Sequence, residues 1–233
     1  MIEFQKLYHK ADVQEYRQFI LVDQQNKLRE KYAALNKSVS HPNILFVGDS
    51  ITEFFPVHEL LTSTVRLYNR GIHGITSQQL LKHLDSQVID LNPNRVFLLI
   101  GANDLKTRRP EEVYQTIQTI ILEIHNQLPE TDIVLMSVFP INESPEFIRT
   151  PSLRTNHSIS QLNAYLSELT NDKVYWLDVH DLLCDESGQL KRDLTLDGLH
   201  LTVAGYQVVA DIINLFLMLS LIHISEPTRR RGI

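Results

Sequence analysis

The chain predicts an α/β fold around a parallel sheet, on three observations. Apolar runs at Ile44 to Val47, Val96 to Ile100 and Ile133 to Val138 have no polar interruption apart from Ser137, the pattern of strands covered on both faces. Stretches with apolar residues three and four apart separate these runs, as helices between parallel strands require. The first and second runs, with a shorter one at Val65 to Asn69, lead into glycine and a polar group, and a parallel sheet gathers such strand ends along one edge.

Taken in order, Val13, Tyr16, Phe19, Ile20, Leu28, Tyr32 and Leu35 recur at roughly helical spacing between charged residues. They predict a long amphipathic extension over residues 1–36, helical from Asp12 and broken near Asp23. It packs either outside the sheet or on a second subunit, which leaves a homodimer open. After the first strand, Ile51 to Leu61 reads as a short helix or an irregular segment, broken by Pro56. Val65 to Asn69 alternates as a second strand. The following loop, Arg70 to Ser77, has glycines at 71 and 74, so it needs a positive φ or a close backbone approach. Thr76 or Ser77 caps a helix carrying Leu80, Leu81, Leu84 and Val88. Pro110-Glu111-Glu112 opens another helix with proline and acids in its first turn. Pro140, Pro145 and Pro151 mark the loop after the fourth strand. A helix follows with Ile159, Leu162, Leu166 and Leu169 inward, then a fifth strand at Val174 to Asp178. Thr202 caps the last helix, which buries Val208, Val209, Ile212, Ile213 and Phe216.

The 233 residues, 43% hydrophobic and 21% charged, fit one domain over residues 1–218. A net charge of -6 provides no basic field for a phosphate backbone, so no nucleic acid is expected as a partner. The single cysteine, Cys184, permits no intrachain disulfide and reads as a packing residue. Together with the lack of an apolar signal run in Met1 to Lys10, it leads to a cytoplasmic expectation. The apolar run Leu215 to Ile224 is far shorter than the roughly 20 residues that span a bilayer, so no stable membrane anchor is expected. Leu219 to Arg229 matches one reading frame of a transposase adapter used in sequencing libraries. Residues 219–233 are therefore expected to be a non-native read-through tail.

The chemistry concentrates in short segments. Gly48-Asp49-Ser50 puts a hydroxyl at a strand end, with free N–H groups expected from the helix that follows. Asp49 or Ser50 in such a segment is often only a helix cap. Gly101-Ala102-Asn103-Asp104 closes another strand. Asp197 and His200, three apart on an expected helical turn, can pair so that one imidazole nitrogen is held and the other faces the crevice. His73 is the competing histidine. The serine segment lacks the second glycine of G-x-S-x-G, which argues against an α/β-hydrolase.

Four blocks in this order resemble the GDSL or SGNH hydrolases: Gly48 to Ser50, Asn69 to Thr76, Gly101 to Asp104 and Asp197 to His200. The likeness spans roughly Asn43 to Phe216. Within the family, the chain looks most similar to the small catalytic subunits of platelet-activating-factor acetylhydrolase and their bacterial relatives. The resemblance implies a flavodoxin-like three-layer α/β/α fold with a five-stranded sheet. It implies Ser50 as nucleophile, His200 as base, Asp197 as its orienter, and an oxyanion hole of the Ser50 and Gly74 N–H groups with the Asn103 amide. Gly71 is then a turn residue. The expected activity is a serine esterase acting on short acyl chains of a small-molecule ester, a lipid ester among them, with no cofactor and no metal. A carbohydrate O-acetyl esterase and a non-catalytic binding protein on the same fold are the alternatives. Phe54, Leu105 and Phe139 are expected near the acyl pocket.

Overall fold

The computed structural model describes residues 10–147 and 154–225, with side chains described for 13–147 and 154–219. Most of Met1 to Lys10, Pro151 and the end of the suspected tail lie outside the described residues. Five parallel strands form the sheet: β1 (Asn43–Gly48), β2 (Arg66–Asn69), β3 (Arg95–Leu99), β4 (Asp132–Met136) and β5 (Val174–Leu177), in the order β2-β1-β3-β4-β5. The reversal from β1 to β3 on one side and β2 on the other makes a switch point at which a crevice opens beyond the strand ends. β1 is buried at every position, as its uninterrupted apolar run requires.

Strand register explains how the sheet is covered. Asn69, Phe46, Phe97, Val134 and Tyr175 are paired in one row across the strands, so their side chains share a face. On that face Phe46 stacks on Phe97 at 4.8 Å, and Phe216 of α9 (Val203–Ser225) meets both Phe97 and Tyr175 at 5.9 and 6.0 Å. Two short helices, α3 (Val57–Leu60) and α8 (His180–Leu183), pack with α9. A second layer has α4 (Ser77–Lys82), α6 (Pro110–Gln127) and α7 (Asn156–Ser167) side by side, then α5 (Leu84–Gln87) with α1 (Lys10–Asn36). α6 buries Val113, Ile117, Ile120, Ile121 and Ile124 along one stripe. The expected three layers and five strands are present, with strand ends moved by a residue or two.

Local differences have identifiable causes. α1 is one continuous helix of 27 residues with no break at Asp23; Lys27 Nζ reaches the Asp23 carboxylate one turn away at 2.7 Å, an ordinary pairing within a helix. Ile51 to Leu61 divides into α2 (Ser50–Glu53) and α3, with Pro56 capping the latter. The expected single helix from Ser77 to Val88 breaks at His83 into α4 and α5 and then a 3-10 turn at Ile89–Leu91. Thr202 does cap α9, its Oγ1 accepting from the Gly205 N–H at 3.2 Å. α9 runs without interruption through Leu219 to Ser225, so the suspected tail begins inside a helix.

Gly48 shows how tightly the sheet's edge is drawn. A Cβ added there would sit 2.0 Å from the Leu99 carbonyl oxygen on β3 and 2.4 Å from Thr52 Oγ1. The first neighbour is backbone in the sheet centre and cannot yield. Gly48→Ala is expected to destabilise the fold by about 3 kcal/mol, the upper range of overpacking costs. Urea unfolding measures it, and a loss below about 1 kcal/mol would mean that β1 and β3 can part at little cost.

Candidate active site

The C-terminal ends of β1, β2 and β3 supply three of the four sequence blocks. After β1, Asp49 caps α2 through a side-chain bond from the Ile51 N–H at 3.0 Å. Ser50 is therefore the first residue of a four-residue helix, its own N–H donating to no protein acceptor among the described residues. Tyr206 of α9 donates to the Ile51 carbonyl at 2.8 Å, fixing α2 from the other side.

Asp197 and His200 do not lie on a helical turn. They sit in a tight loop closed by an isolated bridge between Thr195 and Leu201. Thr195 Oγ1 accepts from the Gly198 N–H and donates to the His200 carbonyl, both at 2.9 Å. Gly198 has φ +86, a conformation that favours glycine. Asp197 Oδ1 accepts the Leu199 and His200 N–H groups at 3.0 and 2.8 Å, while Oδ2 lies 2.7 Å from His200 Nδ1. The far nitrogen, Nε2, is 2.9 Å from Ser50 Oγ. The loop thus brings together three side chains that are up to 150 residues apart. Burial pushes the Asp197 carboxyl up, but the His200 side chain and the two backbone donors outweigh it and hold it below the usual carboxylate range. An ionised carboxylate at Nδ1 fixes the tautomer that leaves Nε2 free to accept a proton. His73, the competing base, has its Nδ1 at 2.8 Å from Glu53 Oε2 and is not hydrogen-bonded to Ser50.

The two loop glycines divide the roles read from their spacing. Gly71 needs space: its added Cβ would fall 2.2 Å from the Glu53 nitrogen. Gly74 needs conformation, at φ +73, and its N–H has no protein acceptor among the described residues. Asn103 Nδ2 donates to the Ile75 carbonyl at 3.1 Å and approaches Asp49 Oδ2 at 3.5 Å, tying the second block to the third and the first. Asp104 does the same through Ser77, accepting from its N–H at 2.8 Å and its hydroxyl at 2.6 Å, with Arg108 Nη1 at 2.9 Å.

Of the expected pocket residues, Phe54 is half exposed with its ring 5.6 Å from that of His200. Leu105 and Phe139 are buried. Phe139 belongs to the core with Phe46 and Phe97 rather than to an open wall, because the chain turns inward after β4. Sequence reading also missed a polar stripe on α1: Gln25, Arg29, Tyr32 and Asn36 lie three or four apart, and the first three are buried. Gln25 Nε2 donates to the His73 carbonyl and Tyr32 Oη to the Gly71 carbonyl, both at 2.8 Å. The buried Arg154 was missed too. Its charge acts on Asp49 and Asp197, and its Nε and Nη1 have no hydrogen-bond partner among the described residues. A metal-type grouping of His180, Asp181 and Cys184 lies at α8. There burial, with Asp181 and Asp185, pushes the thiol up to about 11, which opposes thiolate ligation.

Comparison with known proteins decides the family. A model of the GDSL-like lipase/acylhydrolase family matches residues 46–208. The chain belongs to that family. Among its relatives, the platelet-activating factor acetylhydrolase IB subunit alpha2 of Rattus norvegicus is 27% identical over 181 residues, 76% of either chain. A solved structure from Streptococcus pneumonia, named for platelet activating factor, is 37% identical, with TM-score 0.85 over 90% of this chain and 100% of that one. An acetylxylan esterase of Geobacillus stearothermophilus shares the fold at TM-score 0.57, with 23% identity over 75% of this chain and 93% of the other. As a GDSL acylhydrolase, the chain is a hydrolase of the esterase class. Among the described residues, no helix is long and apolar enough to cross a membrane.

Asp49 generates a pH prediction. Burial, the largest cause, pushes its carboxyl up to about 6 against the Ile51 hydrogen bond and the Arg154 and His200 charges. A carboxyl raised on folding favours the fold at low pH, and that advantage is lost as pH rises from about 4, where the unfolded chain ionises, to about 6. Asp49→Asn should remove this dependence. The stability of the variant relative to the parent should rise by about 2 kcal/mol between pH 4 and pH 7, read from urea midpoints at the two pH values. An unchanged difference would mean that the Asp49 carboxyl titrates normally.

Proposed function

We infer that this GDSL acylhydrolase is a serine esterase that cleaves short-chain, acetyl-type carboxylic esters through an acyl-serine intermediate. One observation carries the reading: Ser50 Oγ, His200 Nε2, His200 Nδ1 and Asp197 Oδ2 form a continuous hydrogen-bonded chain at 2.9 and 2.7 Å. It lies at a sheet edge where the Ser50 and Gly74 N–H groups are without protein acceptors among the described residues. In the cycle, His200 Nε2 takes the Ser50 proton as Oγ attacks the ester carbonyl. The Ser50 and Gly74 N–H groups hold the developing oxyanion, with the Asn103 amide hydrogen that turns from its long 3.5 Å contact with Asp49 Oδ2 while the other stays on the Ile75 carbonyl. The intermediate collapses as His200 returns the proton to the departing alcohol. Water then gives a proton to His200, attacks the acyl-serine and releases the acid, after which the proton returns to Ser50. Asp197 stays ionised throughout, its low carboxyl range matching the imidazolium that forms beside it.

The acetylhydrolase relative supports a small acyl group and a lipid ester as one substrate. A cytoplasmic setting accords with the single cysteine.

Ser50→Ala should abolish labelling by a fluorophosphonate probe, and labelling that persists at another serine overturns the nucleophile. Asn103→Ala should lower kcat about 100- to 1,000-fold with circular dichroism unchanged; turnover near that of the parent removes Asn103 from the oxyanion site. Across p-nitrophenyl esters from acetate to decanoate, kcat/KM should be greatest at acetate, and a maximum at octanoate or beyond refutes the short-acyl reading. Acetylated phospholipid against acetylated xylose then separates a lipid from a sugar leaving group.

A further inference from the structure

Resting on the reading of Gly74 as an oxyanion donor, we propose that Gln25 of α1 is a positioning residue that sets the orientation of the His73–Gly74 peptide. Gln25 is 1% exposed, and its Nε2 donates to the His73 carbonyl at 2.8 Å. That carbonyl and the Gly74 N–H belong to one peptide plane and, in a trans peptide, point in opposite directions. Pinning the carbonyl onto α1 therefore turns the N–H away from α1. From the far side, Asn103 Nδ2 holds the Ile75 carbonyl at 3.1 Å, so the Gly74 residue is bracketed by α1 and by the strand-end asparagine.

The bracket is needed because of the glycine itself. At φ +73, Gly74 occupies a region it shares almost equally with its mirror image, so rotation of the preceding peptide is cheap. Rotation would replace a donor with a carbonyl dipole at the place where negative charge develops, turning stabilisation into repulsion. An added Cβ on Gly74 would lie 3.3 Å from Gln25 Nε2 and from both Leu21 methyls, so α1 closes on this glycine from two successive turns. Glu53 Oε2 accepts the His73 N–H, which fixes the preceding peptide and leaves the His73–Gly74 plane to Gln25.

The test compares kcat and KM for p-nitrophenyl acetate, and thermal midpoints, in the full chain and two variants. Gln25→Leu removes the donor at similar volume and should lower kcat about 10- to 100-fold, part of the loss of one oxyanion donor, with KM within threefold. Gln25→Glu places an acceptor against a carbonyl when ionised and a donor when protonated. Its activity relative to the parent chain at the same pH should rise as pH falls from 8 to 5 and the carboxyl protonates, burial raising its titration and Arg29, four residues on along the same buried stripe, lowering it. A purely structural role would not produce that rise. If Gln25→Leu does not fold, the Gln25→Glu ratio decides, and a flat ratio overturns the proposal. If Gln25→Leu folds and keeps kcat within twofold while Ser50→Ala is inactive, the positioning role fails and the esterase reading stands. If Ser50→Ala keeps full esterase activity, it is the underlying reading that fails.

Discussion

The site depends on how closely backbone can approach backbone at the switch point of the sheet. β1 must deliver Ser50 beside the end of β3, which carries Asn103, and beside the loop after β2, which carries Gly74. At two crossings there is no room for a side chain: Gly48 lies against the Leu99 carbonyl and Gly71 against the Glu53 nitrogen. A methyl group at either place would push the strand ends apart by more than the tolerance of a hydrogen bond. The glycines at 48 and 71 are thus conditions for convergence, that at 74 is a condition for local conformation, and that at 198 is both, with φ +86 and an added Cβ only 2.7 Å from Phe147 Cβ. Small residues in these blocks serve two different physical ends.

The loop from Arg70 to Gly74 has no regular structure, so its buried backbone groups need partners from elsewhere. Side chains supply them from four directions. Gln87 donates to the Arg70 carbonyl at 3.2 Å, Tyr32 to the Gly71 carbonyl, Gln25 to the His73 carbonyl, and the Gly71 N–H is accepted by Asn69 Oδ1 at 2.9 Å. The Ile72 N–H returns to the Gly48 carbonyl at 3.0 Å. With nearly every neighbour satisfied, the Gly74 N–H, which has no protein acceptor among the described residues, stands out. α1 is accordingly no appendage, since its second half provides two of these bonds, and Asn36 Oδ1 accepts from Arg70 Nε and Nη2 at 3.2 and 3.1 Å.

Two carboxylates near Ser50 are driven in opposite directions by the same low-dielectric setting. Asp49 has one backbone donor and is fully buried, so desolvation prevails and its proton is retained to higher pH. Asp197 has two backbone donors and an imidazole and is less buried, so hydrogen bonding prevails. The outcome follows from the number of donors per carboxylate. It lets one acid serve as an ionised partner for His200 while the other works as a cap and spacer between Ser50 and Asn103. Arg154 acts on both.

Before the coordinates, much of this was readable, and the division follows the range of the forces involved. Ser50, Asn103, Asp197 and His200 could be picked out because each sits in a short block whose glycine and polar neighbours act locally, and because a parallel sheet puts strand ends on one edge. The sheet itself followed from apolar runs whose burial needs no partner to be named. The Asp197 to His200 geometry was misjudged, since a spacing of three suits a helical turn and also a loop in which one aspartate oxygen accepts two successive N–H groups; only the Thr195 to Leu201 bridge distinguishes them. Gln25, and the partner of the Tyr32 hydroxyl, were illegible for a different reason. On a surface helix, a polar residue every three or four positions normally faces water, and periodicity alone holds no information about a loop some forty residues downstream. What makes those residues part of the site is a pair of carbonyls that lost their strand partners when β2 ended at Asn69, and a requirement of that kind is visible only once the chain has folded back on itself.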